Sequence, residues 1–338
     1  MSDCPYQTFT RKEIDAMRER YGMGRIVIDD KGTEMEVEKP WLPPTPEENI
    51  IAFPDKKEIR VDWRQTFGKI TELQEHLQGM EIAQEEGTYN LNLERPDIRY
   101  GLAFLFSDAH IGSLTSDHTL IQKVLDLSLK LPNTCIIDNG DTFDNGIWGG
   151  LQFEQAIPPY AQAFTLQDIA RELGEKYAAV VIGNHPEWMF YHTGVRPEDL
   201  FYRQVKGPIF PGMGLLHLNV GEQSYKVALS HTYWGKSKIN IHNCCVRLRE
   251  KEYPDADVFV VGHEHIWGHM KEMINNREVL YCRPGTGKTQ DRYARIHGIA
   301  RRGQEMGLAV RFDADKHFFE AMPIDRAVEE LEKATSQR

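Results

Sequence analysis

The chain has 338 residues, 41% of them hydrophobic and 10% aromatic, with a formal net charge of −11; this suits one large domain with additions, or two, and not a disordered or fibrous protein. An acidic chain does not coat nucleic acid through its whole surface, so any such contact is local. No apolar run approaches the ~20 residues of a membrane span, the N-terminal stretch has no apolar signal region, and the five cysteines (Cys4, Cys135, Cys244, Cys245, Cys282) fit neither a disulfide framework nor a CxxC zinc site. A reduced, cytoplasmic protein off the membrane is expected.

Residues 1–95 read as an extension distinct from the rest. Thr10-Arg-Lys-Glu13 is a candidate capping box, Gly24–Ile28 a small strand, and Trp41–Pro46 a proline-rich connector that cannot be helix. Over residues 63–86, Trp63, Phe67, Ile70, Leu73, Leu77 and Met80 recur at three- and four-residue steps, which predicts an amphipathic helix. Its ordinary use is packing on its own domain. Its short heptad-like seam also suits self-association or a protein partner.

From residue 96 onward the pattern becomes strand, loop, helix, repeated. Tyr100–Phe106 is a buried strand, 117–131 a helix, Thr134–Ile137 a strand, 161–177 a helix and Ala178–Ile182 a strand. Leu215–Val220 and Ser224–Ser230 flank Gly221 as a hairpin. Val258–Val261 has the β-branching of a fully buried strand. Val279–Cys282, Leu308–Phe312 and His317–Ala321 are further short strands, and Pro323–Lys333 is a closing helix.

Five of these strands end in polar, metal-competent residues: Asp108 and His110, Asp141, Asn184 and His185, His231, then His263 and His265. Ligands of open α/β sheets gather at the carboxyl ends of strands, so these loops are expected to meet at one edge. Two acids, an amide and several imidazoles form a mixed oxygen and nitrogen donor set. It suits Mn, Fe, Zn or Ni better than calcium. A lone histidine is usually structural; an ordered set of this kind is not.

The set resembles the calcineurin-like metallophosphoesterases, whose pattern is DxH, GD, GNH, a lone H and GHxH. Here it stands as Asp108-Ala-His110, Gly140-Asp141, Gly183-Asn184-His185, His231 and Gly262-His263-Glu264-His265. The resemblance spans roughly residues 99–320 and says nothing about 1–95. It implies a four-layer α/β/β/α sandwich of two mixed sheets over 96–338, with a separate N-terminal extension. It implies two divalent ions, Mn foremost. Asp108, His110 and His265 would hold the first, Asn184, His231 and His263 the second, and Asp141 would bridge them. It further implies in-line attack on phosphorus by a metal-bridging hydroxide, with His185 as general acid and Asp144 as its carboxylate partner.

Some features depart from the family's phosphoprotein phosphatases. Asn145 follows Asp144 where they have an arginine, and Pro186 follows the GNH block. Tyr281–Thr286 sits where many phosphodiesterases have a turn like NPGS. A phosphodiester substrate, nucleic acid (DNA or RNA) or nucleotide, is therefore expected. The alternatives are a phosphomonoesterase or small-nucleotide hydrolase, and a scaffold protein on the same fold. Pro284–Thr289 imitates a P-loop but has Cys282 where glycine is required. Arg283, Lys288, Arg292, Arg295, Arg301 and Arg302, against Asp291 alone, form a local basic stretch. Arg283, Lys288 and Arg292 are its candidate substrate contacts, and a solvated face is the plainer reading. Trp188 and Tyr191 could wall the cleft or fill the core.

Overall fold

A computed structural model describes residues 26–28, 35–37, 85–147, 153–194, 196–237, 239–289 and 306–336. The chain divides into two compact units, Met1–Thr71 and Glu72–Arg338. In the first, β1 (Ile26–Ile28) pairs antiparallel with β2 (Met35–Val37). The capping box at Thr10, the proline-rich connector and most of the amphipathic stretch 63–86 lie outside the described residues. The end of that stretch is strand rather than helix, because β3 (Glu86–Leu91) begins at Glu86.

The second unit runs β3, β4 (Tyr100–Phe106), α1 (His118–Lys130), β5 (Thr134–Asp138), α2 (Pro159–Leu173), β6 (Tyr177–Val181), α3 (Asn184–Thr193), α4 (Asp199–Tyr202) and β7 (Ile209–Phe210). It continues through β8 (Met213–Val220), β9 (Gln223–Ser230), α5 (Asn243–Lys251), β10 (Val258–Val261), β11 (Trp267–Ile274), β12 (Arg277–Pro284), β13 (Leu308–Asp313), β14 (Phe319–Pro323) and α6 (Ile324–Ser336). One sheet has the order β14-β13-β4-β5-β6-β7 and the other β11-β12-β10-β9-β8-β3. Both are mixed. In the first, β4 to β7 are parallel and β13 is antiparallel to β4. In the second, β10 is parallel to β9 and β12, and β8 is antiparallel to β9. Strand β3 pairs parallel with β8, so the sandwich begins before the boundary expected at residue 95.

Alternation along β4 shows how the layers form. Leu102, Phe104 and Phe106 face one way, into a core shared with Ile121 and Val124 of α1, Leu166 of α2 and Leu331 of α6. Ala103 and Leu105 face the other way, into a core shared with Leu218, Val227 and Val260 of the second sheet. Successive strand side chains point to opposite faces, so a strand buried on both reads as an unbroken apolar run. The far face of the second sheet presents Ala228, Phe259 and Tyr281 to Cys244, Cys245 and Leu248 of α5. The result is the four-layer α/β/β/α sandwich that the motifs implied. Among the described residues, no helix is long and apolar enough to cross a membrane. Phe104 is fully buried at the centre of the helix-facing core. Phe104→Ala is expected to cost about 3–5 kcal/mol, read as a lower urea midpoint with unchanged m-value.

Candidate metal centre

Parallel pairing carries β4, β5 and β6 to one edge of the first sheet, and β9 and β10 to the same edge of the second. Hydrogen bonds then lock the five loops to one another. Asp108 N–H donates to Gly140 O at 2.9 Å and His110 N–H to Asp141 O at 3.0 Å. Asn139 Nδ2 donates to Ser230 O at 2.8 Å across the sheets, and His263 N–H donates to Asp108 Oδ2 at 2.9 Å. The ring centroids of His231 and His263 are 5.3 Å apart.

The backbone is bent hard to aim these side chains. Asp108, His110, Asp141, His263 and His265 have φ of 50°, 48°, 51°, 68° and 54°. Non-glycine residues rarely adopt this left-handed region, and each instance costs about 1–3 kcal/mol unless the surroundings impose it. Two motif glycines permit the approach. A Cβ on Gly183 would collide with the Asp141 carboxylate, and one on Gly262 with the Ser107 hydroxyl.

Among the described residues, three groups have ligand atoms within 4.8 Å of one another: Asp108, His110 and His265; His110, Asp141 and His185; and Asp141, His231 and His263. His231 Nδ1 faces Asn139 O at 2.8 Å. A carbonyl can only accept, so Nδ1 carries a proton, and once the ring has given up its second proton Nε2 presents a lone pair. It faces Asp141 Oδ2 at 3.0 Å and Asn184 Oδ1 at 2.9 Å. With the ring neutral, three acceptors converge with no donor among them, and such a point is repulsive unless a proton or a metal ion holds it.

The second point is built alike. Asp108 Oδ2 accepts from Ser107 and from His263 N–H, while Oδ1 is buried with no hydrogen-bond partner. That oxygen is 3.4 Å from His265 Nε2, which is 3.2 Å from His110 Nε2. His110 Nδ1 lies 3.0 Å from Asp144 Oδ1, so its Nε2 also offers a lone pair. Imidazoles backed by a carboxylate or carbonyl are the usual form of metal-binding histidine. Burial, then Lys288, holds His110 down to about 3, hence neutral. Burial opposes the charge on Asp141, but His231 and His185 outweigh it and hold the carboxyl well below its ordinary range. The residues present fit divalent cations.

His185 lies beside these points, with a ring nitrogen in ligand reach of His110 and Asp141. Its N–H donates to Asp141 Oδ1 at 3.0 Å, its Nδ1 donates to the carbonyl of Asp144, and its Nε2 is 3.9 Å from Asp141 Oδ2. The expected side-chain pairing of Asp144 with His185 is not the one formed. The Asp144 carboxylate is taken by His110 and by Lys288 Nζ at 2.9 Å, and by Gln155 Nε2. Only the backbone of Asp144 meets the His185 ring.

The expected substrate contacts also move. Arg283 is 1% exposed, and its guanidinium binds Ile241 O, Cys244 Sγ, Gly262 O and Glu264. Lys288 is 3% exposed and ion-paired with Asp144. Both are buried supports, because their charge meets carboxylates that fold in from other loops. Arg292 and the rest of the basic stretch lie outside the described residues. Residues that sequence reasoning missed are Asn139, which grips both sheets' loops, and Gln155, held in turn by Gln162. Neither amide belongs to a recognisable spacing.

Compared by sequence, the chain matches no family model and no curated protein. Among solved structures it is similar to a metallophosphoesterase from Sphaerobacter thermophilus (15% identity, 70% of this chain and 95% of that one, TM-score 0.35). It is similar also to a predicted phosphoesterase from Streptococcus pneumoniae (16%, 67% and 91%, TM-score 0.34), and to Vacuolar Protein Sorting 29 from Cryptosporidium parvum (14%, 66% and 97%, TM-score 0.36). Likenesses this distant assign no substrate or activity. The sandwich and the ordered motifs at its edge are those that the resemblance to the calcineurin-like metallophosphoesterases implied.

Metal binding here has a proton signature. Burial disfavours charge on His231, but Asp141 outweighs it and the pKa rises to about 9. Below that pH a proton holds the His231 point, and an incoming ion must displace it. Titration with Mn2+ at pH 7.5 is expected to release about one proton, seen as an enthalpy that varies with the buffer's ionisation enthalpy. Affinity should rise with pH up to about 9. His231→Gln should remove the release and leave ion binding by Asp108, His110 and His265. An enthalpy independent of buffer would count against the arrangement.

Proposed function

We propose that the chain is a metal-dependent phosphoester hydrolase acting on phosphodiesters. The observation that carries the reading is the convergence of acceptors around Asp141, with His185 directly beside it. Asp108, His110 and His265 are assigned to one ion, Asn184, His231 and His263 to a second, and Asp141 to both. The mixed donor set without thiolate suits Mn, with Fe, Zn or Ni as alternatives. When bound, such ions polarise phosphoryl oxygens and lower the pKa of water.

The chain's own residues supply the rest. Asn139 O and the Asp144 carboxylate fix the rings of His231 and His110, so each aims Nε2 inward. Asp144 O holds the Nδ1 proton of His185, which leaves Nε2 on the Asp141 side; the imidazolium, carrying a second proton there, gives it to the leaving oxygen and returns to the neutral ring. Asp144 is thus a positioning residue for both histidines. Four buried, unpaired cysteines, Cys135, Cys244, Cys245 and Cys282, fit a reducing, cytoplasmic setting.

The test is Mn-dependent release of nitrophenol from bis-p-nitrophenyl phosphate. His185→Ala is expected to lower kcat about 10²–10⁴-fold with metal content unchanged, and Asp141→Ala to abolish both turnover and metal retention. Wild-type turnover in Asp141→Ala would sink the reading. Preference for p-nitrophenyl phosphate over the diester would move it to a phosphomonoesterase, and metal binding with no hydrolysis to a scaffold.

A further inference from the structure

Helix α3 opens with Asn184 and His185 and does not become core. Trp188 and Tyr191 follow Asn184 by four and seven residues, so all three lie on one helical face. A rise of 1.5 Å per residue puts Trp188 about 6 Å and Tyr191 about 10 Å along the axis from Asn184. The Trp188 indole lies against the His185 imidazole, with centroids 4.4 Å apart and planes 31° from parallel. On another side His110 meets the same imidazole edge to face at 4.6 Å. Trp188 is half-buried, and Tyr191 is 76% exposed, with the Phe190 ring 6.3 Å from its own.

This placement constrains the leaving group. An oxygen that takes a proton from His185 Nε2 must come within about 2.6–3.2 Å of it. The atoms attached to that oxygen then come within contact range of the indole. The ring of Tyr191 continues the same face outward by one helical turn. A pair of aromatic side chains that begins at the acid and runs along α3 away from Asn184 is suited to a planar ring carried by the leaving alcohol, one sugar away from phosphorus. An exposed single aromatic is ordinary; Trp188 packs on the His185 ring, and Tyr191, 76% exposed on the same face, is not accounted for by packing.

We propose that Trp188 and Tyr191 form a stacking subsite for a nucleobase on the leaving side, so that the preferred substrates are phosphodiesters whose leaving alcohol is a nucleoside. The proposal rests on the phosphodiesterase reading above. Its chemistry is shared by short oligonucleotides and single-stranded nucleic acid, since base–aromatic stacking tolerates any base.

The test uses the full chain with Mn2+ and two diesters: thymidylyl-thymidine, and its counterpart with a tetrahydrofuran in place of each nucleoside. Wild type is expected to favour the first by about tenfold in kcat/KM, the scale of one stacked base. Tyr191→Ala and Trp188→Ala should bring that ratio towards one, chiefly through KM, and Trp188→Phe should keep it. A ratio near one in wild type, or a tenfold ratio unmoved by either alanine, overturns the subsite and leaves the hydrolase standing. Hydrolysis of neither diester by metal-loaded protein sinks the hydrolase reading itself, and the subsite with it. A further arm with single-stranded oligothymidylate separates the sources. Faster cleavage of the strand places the subsite on nucleic acid, and equal rates place it on dinucleotides; both agree with stacking.

Discussion

Everything at the edge of this sandwich depends on one electrostatic fact: acceptors face acceptors there. Asp141 Oδ2, Asn184 Oδ1 and the Nε2 of His231 meet around 3 Å, and the partnerless Asp108 Oδ1 lies 3.4 Å from the Nε2 of His265, itself 3.2 Å from that of His110. Buried polar groups ordinarily find donors. A fold that leaves several lone pairs aimed at common points, and fixes them with carbonyl and carboxylate backing, is built to hold positive charge. The five left-handed residues carry the same message, because their strain, of order 1–3 kcal/mol each, serves aim rather than stability.

The strain is tolerable because the loops brace one another across the two sheets. Asn139 is the main brace: its amide donates to Ser230 O and its carbonyl accepts from His231, so a loop of the first sheet sets the register of a loop of the second. Thr286 and Gly287 act on the other flank, both donating to Asp108 O. Arg283 ties Gly262 and Glu264 of the last histidine loop to α5 through Ile241 and Cys244. Breaking one partner of such a buried charge is far costlier than the pair is worth in net stability. Arg283 and Lys288 therefore specify geometry more than they add to stability.

The candidate metal ligands could be picked out in the chain because their signal is local. A buried β-branched run, a glycine and a polar pair repeat at Val258–His265 as they do at Tyr177–His185, and parallel pairing brings such ends together without further information. What was illegible is tertiary. Nothing near Arg283 announces that Glu264 and Ile241 will enclose it, so a basic stretch looked like surface. Asp144 sits at the spacing of a partner for His185, yet its carboxylate turns to His110 and Lys288, a choice made by a residue 144 positions further on. Strand β3, Glu86–Leu91, has glycine and polar residues and no apolar run; only its pairing with β8 makes it a strand. Pro186 looked like a break in the GNH block. It occupies the first turn of α3, where backbone N–H groups have no intrahelical partner and proline costs little.

Two buried cations lie close to this centre, and both answer carboxylates of the protein. Lys288 meets Asp144 and Arg283 meets Glu264. Neither is placed to meet an anion from solvent, since Lys288 is covered by the buried Asp144 carboxylate and Arg283 is itself buried against Glu264. Among the described residues, the exposed Lys236 stands beside Glu264 and near His263, and the remaining positive charge that a phosphate needs is left to ions at the Asp141 and Asp108 points. For the proposed hydrolase, discrimination among the described residues then falls to what surrounds the phosphorus rather than to a basic groove. That division would suit an acidic chain of net charge −11: the charge would be gathered at one point by chelation, and the surface beside it, on α3, is free to be apolar.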